Sequence, residues 1–166
     1  MNHMYAEAAV KCKDTPKTMG LRALLILGMI IGAVVVIFLG SFFSIIGAAI
    51  VVVLGYLYPK LSIEYEYVFV DGQIDFDKIS GKSSRKTMLR IDMEQMEIAA
   101  PSNSHALDNY KNMQLIVKDY SSHDKTSKTY TIISNVDNKK YKIIFEPSEE
   151  MINLMRQKSP RKVSVY

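Results

Sequence analysis

The chain has 166 residues, enough for one domain and one additional element. Its 21 Lys and Arg against 17 Asp and Glu leave a net charge of only +4, and the charges beyond Lys60 are nearly balanced, which argues against a nucleic-acid surface. Cys12 is the single cysteine, so an intramolecular disulfide and a cysteine-built metal site are excluded, as suits a reducing compartment.

Residues 1–20 read as a basic N-terminal segment carrying Lys11, Lys13 and Lys17. No charge then appears between Arg22 and Lys60. The apolar run Ala23–Tyr58 would make a helix about 54 Å long, too long for a hydrocarbon core of about 30 Å. Two helices fit instead, over about 21–39 and 43–58, with the turn at Leu39-Gly40-Ser41-Phe42. Tyr56 and Tyr58 mark an interface and Pro59 stops the second helix. The flanking Lys11, Lys13, Lys17, Arg22 and Lys60 against an uncharged turn predict a multi-pass protein of the cell (inner or plasma) membrane, with both ends cytoplasmic. Gly28, Gly32 and Gly47 are candidate helix-packing positions, either within the hairpin or in a homodimer. Cys12 lies near the membrane without a second lipidation cue and is expected as a free thiol.

Period-two alternation begins after Pro59. Leu61, Ile63, Tyr65, Tyr67 and Phe69 share one face, with Glu64 and Glu66 opposite. Asp71-Gly72 is a hairpin signal leading into a strand over 73–79. Further strands are expected over 85–93, 97–100, 112–120, 128–135 and 140–145. Ser148 is an N-cap candidate for a helix over 148–158, with Glu149 and Glu150 in its first turn and the stripe Met151, Ile152, Leu154 and Met155 facing a core. Residues 159–166 read as a flexible tail.

Seven strands closed by one helix resemble a pleckstrin-homology-like (PH-like) domain over 60–158. The expected fold class is therefore membrane-anchored α+β: a two-helix transmembrane hairpin, then a mainly antiparallel β PH-like barrel or sheet with a C-terminal capping helix. Along most of its length the chain also resembles an uncharacterised family of small bacterial membrane proteins of this architecture. The residues that carry the resemblance are Met4–Lys11, the apolar block, Ile63–Gly72, Ile74–Ile79, Met96–Ile98 and Pro101–His105. It implies no activity and makes Met4 a candidate start.

Motifs for chemistry are sparse. His3, His105 and His123 lack metal-ligand spacing. Ser102–Asp108 holds Ser, His and Asp, but closeness in sequence is not a triad. Gly81-Lys82-Ser83 ends like a P-loop, yet Phe76 stands where the pattern needs glycine. Asp75 and Asp77 read as exposed strand positions. The remaining feature is basic: Lys78, Lys82, Arg85, Lys86 and Arg90 surround one loop with no acid among them, as a surface for anionic lipid headgroups would. The expected function is a non-enzymatic, membrane-anchored interaction module, without cofactor or metal, touching membrane lipid or a membrane-protein partner. The alternatives are a subunit or regulator of a larger membrane complex and, more weakly, a hydrolase using the His105 region.

Overall fold

The computed structural model describes residues 4–39, 41–81 and 83–164. The chain forms two compact units. One is built from the strands and the C-terminal helix; the other comprises residues 13–63 with the turn 80–84.

The second unit is a helical pair. Thr15 caps α1 (Pro16–Phe38), its side chain accepting from the Thr18 amide, and Pro16 takes the first helical position, where its missing N–H costs nothing. α2 (Ser41–Leu57) follows, and a 3-10 turn, Tyr58–Leu61, ends it at Pro59. α1, and α2 continued through the 3-10 turn as Phe42–Leu61, are each long and apolar enough to cross a membrane. Their large side chains face outward: Ile37, Phe38 and Phe42 are more than two-thirds exposed, and α1 buries only Leu25 and Gly32. The core helix of a soluble protein would bury such a face; this pair fits a membrane hairpin. α1 begins five residues before the expected position. Gly40, in the expected turn, lies outside the described residues.

The first unit holds two four-stranded sheets. Sheet order is β1-β2-β3-β4 in one and β5-β7-β8-β6 in the other, with β1 Tyr5–Lys11, β2 Ile63–Val70, β3 Gln73–Ser80, β4 Ser84–Asp92, β5 Met96–Pro101, β6 Ile116–Asp119, β7 Tyr130–Val136 and β8 Lys139–Phe145. Their apolar faces share one core. Tyr67, Phe76 and Phe145 form an edge-to-face cluster with ring centroids 5.4–5.8 Å apart, and α3 (Glu149–Lys158) adds Met151 and Met155. Ser148 caps α3, accepting from the Met151 amide. The PH-like arrangement of antiparallel sheets and a C-terminal helix is thus present, as two sheets rather than a closed barrel.

Three expectations need correction. The segment 1–20 is not only a basic leader: Tyr5–Lys11 pairs antiparallel with β2, in register from Tyr5↔Val70 to Lys11↔Glu64. Ala6, Ala8 and Val10 face inward, a pattern whose small residues give a weak strand signal. The domain therefore extends outside 60–158 on both sides, since the expected tail also engages it. Val163 is 6% exposed and bridges Ala99 in parallel, and the Lys162 ammonium donates to the Met93 and Glu94 carbonyls. Third, the 112–120 strand shortens to β6 and runs parallel to β8; its first residues continue the turn that follows the 3-10 helix His105–Tyr110, the Met113 amide donating to the Tyr110 carbonyl at 3.3 Å.

Candidate functional site

The basic loop of the sequence is the turn between β3 and β4. Its anchor is Gly81, whose φ of +63° lies in the left-handed region that favours glycine. The Gly81 amide donates to the Ser62 carbonyl at 3.0 Å. A Cβ at Gly81 would stand 3.2 Å from the Lys60 backbone. The turn is thus seated on the chain just after α2, beside Lys60, whose ammonium lies 3.9 Å from the centre of the Tyr56 ring.

The five basic residues are not equivalent. Arg90 makes a bidentate pair with Asp75, at 2.7 and 2.6 Å, and these bonds hold the Asp75 carboxyl below the usual carboxylate range. Arg85 pairs with Glu66 and lies 3.7 Å from Asp77. Lys86 is exposed and Lys78 half-buried, while Lys82 lies outside the described residues. Two of the five charges are therefore committed to carboxylates from β2 and β3.

Those carboxylates correct the expectation of exposed acids. Glu66 and Asp77 are 5% and 6% exposed, and Asp77 Oδ1 has no hydrogen-bond partner. Burial and the neighbouring Glu7 carboxyl push Glu66 up, and the Arg85 guanidinium offsets this only in part. Glu7 moves the other way, held down first by the hydrogen bond from the Tyr5 hydroxyl. One signal foretold the arrangement: a two-residue turn at Asp71-Gly72 puts Glu66 opposite Asp77.

The glycines meet inside the helical pair. A Cβ at Gly47 would stand 2.6 Å from the Gly32 carbonyl oxygen, and one at Gly28 would meet Leu54. Gly28, Gly32 and Gly47 thus line the face between α1 and α2, as the packing of a hairpin requires.

The Ser, His and Asp of 102–108 do not converge as a relay. His105 Nδ1 lies 3.1 Å from Asp108 in an exposed i,i+3 pair, the Ser102 hydroxyl pairs with Thr131, and Ser104 caps the Ala106 amide. A second grouping went unread in the sequence: Asp119 accepts from both the amide and the hydroxyl of Ser121, with His123 Nδ1 3.4 Å from each of the two side chains. One ring nitrogen faces both partners, so this is a turn clamp rather than a proton relay. Cys12 donates weakly to the Ser121 carbonyl, and burial pushes its thiol up to about 11. Among the described residues no group of three His, Cys, Asp or Glu could hold a metal ion.

No curated protein and no solved structure matches the chain. One family model does, and it spans residues 2–165, the helical pair and the two sheets together. The chain belongs to the family described as Bacterial PH-like domain (DUF6106).

Proposed function

We propose that this protein is a non-enzymatic interaction module, anchored in the cytoplasmic membrane by α1 and α2, whose β3–β4 turn touches anionic lipid headgroups. The observation that carries this reading is the seating of Gly81 on Ser62 and Lys60, directly after α2. If α2 spans the bilayer, the turn lies where headgroups begin, and each basic side chain there contributes about 1 kcal/mol of attraction. Lys60 beside the turn supplies charge, and Lys82 adds a basic residue to the turn's sequence, whereas Arg85 and Arg90 serve the sheet. The pairing of Lys11 with Glu64 supports an even number of crossings, because both ends of the 12–63 excursion enter one sheet. The lysines flanking the excursion favour the cytoplasmic side.

The test places a nitroxide at Ser83→Cys, in a Cys12→Ser background, with the full chain in nanodiscs. In phosphatidylglycerol the label should be shielded from a water-soluble relaxation agent, and less so in phosphatidylcholine. Equal exposure in both lipids would remove the headgroup contact. Reporter enzymes fused at each terminus test sidedness separately, and external activity at either end would overturn the cytoplasmic placement.

A further inference from the structure

The sheet unit carries a cavity of about 800 Å³, within the size range of ligand sites, and none of the carboxylates and arginines described above lines it. Its floor is apolar: Tyr130 and Ile152, both half-buried and packed on the core, with Pro101 and Pro147 also in the lining. Its rim carries one cation, Lys128, one anion, Glu149, and two exposed amides, Asn103 and Asn153. Glu149, Ile152 and Asn153 form one stripe of α3, three and four residues apart.

This chemistry discriminates among ligands. A lone lysine opposed by a carboxylate is a poor match for phosphate or an anionic headgroup. Strand addition is also blocked at this end of β5. Pro101 has no N–H, its carbonyl already accepts from the Ser104 amide at 2.8 Å, and the Ser102 amide donates to Thr129 at 2.9 Å. The rim hydroxyls of Ser102 and Ser127 have side-chain partners of their own. What remains is an apolar floor, two side-chain amides that each offer a donor and an acceptor, and one charge of each sign. Peptide groups match the amides, and an apolar side chain matches the floor.

We propose that this groove binds a short peptide segment of a protein partner, with an apolar residue over Tyr130 and Ile152, flanked by an acid toward Lys128 and a base toward Glu149. The proposal rests on the reading of the protein as an interaction module and names its partner class. The test pans a random heptapeptide phage library against the full chain in nanodiscs, with empty nanodiscs as control. Insertion into the nanodisc reports the anchor by itself, so a failed selection on inserted protein falls on the groove alone. Selected peptides should carry the apolar residue between opposite charges. Asn103→Ala with Asn153→Ala, both exposed positions, should weaken binding about tenfold, the loss of one or two hydrogen bonds. The swap Lys128→Glu with Glu149→Lys should invert the selected charge order, which a merely structural role would not do. No enrichment over empty nanodiscs, equal binding to these variants, or displacement of the peptides by phosphatidylglycerol vesicles would each overturn the assignment, the last in favour of lipid.

Discussion

The guanidinium of Arg85 reaches from β4 across β3 to the Glu66 carboxylate of β2, passing 3.7 Å from Asp77 on the way. One partly exposed cation thereby serves two buried anions. Removing it leaves both carboxylates in a low-dielectric setting without compensation. Arg85→Ala should cost about 2 kcal/mol, below the roughly 3–5 kcal/mol of a fully buried pair, because the arginine side chain is 55% exposed and screened by water. Thermal melting in detergent micelles measures it. Adding Glu66→Gln should restore part of the loss; a double variant no more stable than Arg85→Ala alone would show that Glu66 is not the group left stranded.

The same pair sets a pH dependence. Glu66 is raised in the folded protein, so the native state holds its proton more tightly than the unfolded chain does. That contribution is fully present below the ordinary glutamate value of about 4.3 and is lost as pH rises through the elevated value. Asp75 is lowered and works in the opposite sense: its contribution is present above about 3.9 and disappears as pH falls through the depressed value. Glu66→Gln should flatten the stability profile on the upper window, and Asp75→Asn on the lower. Melting temperatures collected from pH 3 to 7, as about the span of both windows, separate the two.

Gly47 and Gly55 sit on one helix and should respond oppositely to alanine. A Cβ at Gly47 runs into the Gly32 carbonyl, whereas Gly55 has open space around it. Gly47→Ala must push α1 and α2 apart and should cost about 1–3 kcal/mol. Gly55→Ala should be neutral or stabilising by up to about 1 kcal/mol through helix propensity. Resistance of the helical pair to SDS titration is the readout.

Cys12 should be a slow nucleophile. With its thiol near 11, it carries about a hundredfold less thiolate at neutral pH than a thiol near the ordinary value. Iodoacetamide labelling of the folded protein in micelles should be slower than that of the denatured chain by about this factor. Comparable rates would mean that the Ser121 contact does not hold in solution.

Much of this architecture is legible in the residues. Strong alternation in Ile63–Val70 and Gln73–Ser80, the Asp71-Gly72 turn and the Ser148 cap locate β2, β3 and the start of α3 almost to the residue. β1 hides because Ala6, Ala8 and Ala9 carry little β-propensity and its partner lies more than fifty residues away. Thr15-Pro16 carries the helix-start signal, which hydropathy does not register, so the apolar run by itself places the boundary later. The site was less legible. Five basic residues without an intervening acid read as one patch, and only the folded sheet brings Glu66, Asp75 and Asp77 beneath two of them. Local charge counting cannot see a partner delivered by a neighbouring strand.

The register of β1 against β2 has a consequence for biosynthesis. β1 leaves the ribosome before its partner exists, and at about 5–20 residues per second the wait is several seconds. During that interval a strand with one apolar face has no backbone to pair with. Closing so long a loop by diffusion carries an entropic cost, which the association of α1 with α2 reduces by returning the chain to its point of departure. Sheet completion is thereby timed by the helices, and a nascent chain whose hairpin fails would be left with an unclosed sheet, open to aggregation and proteolysis.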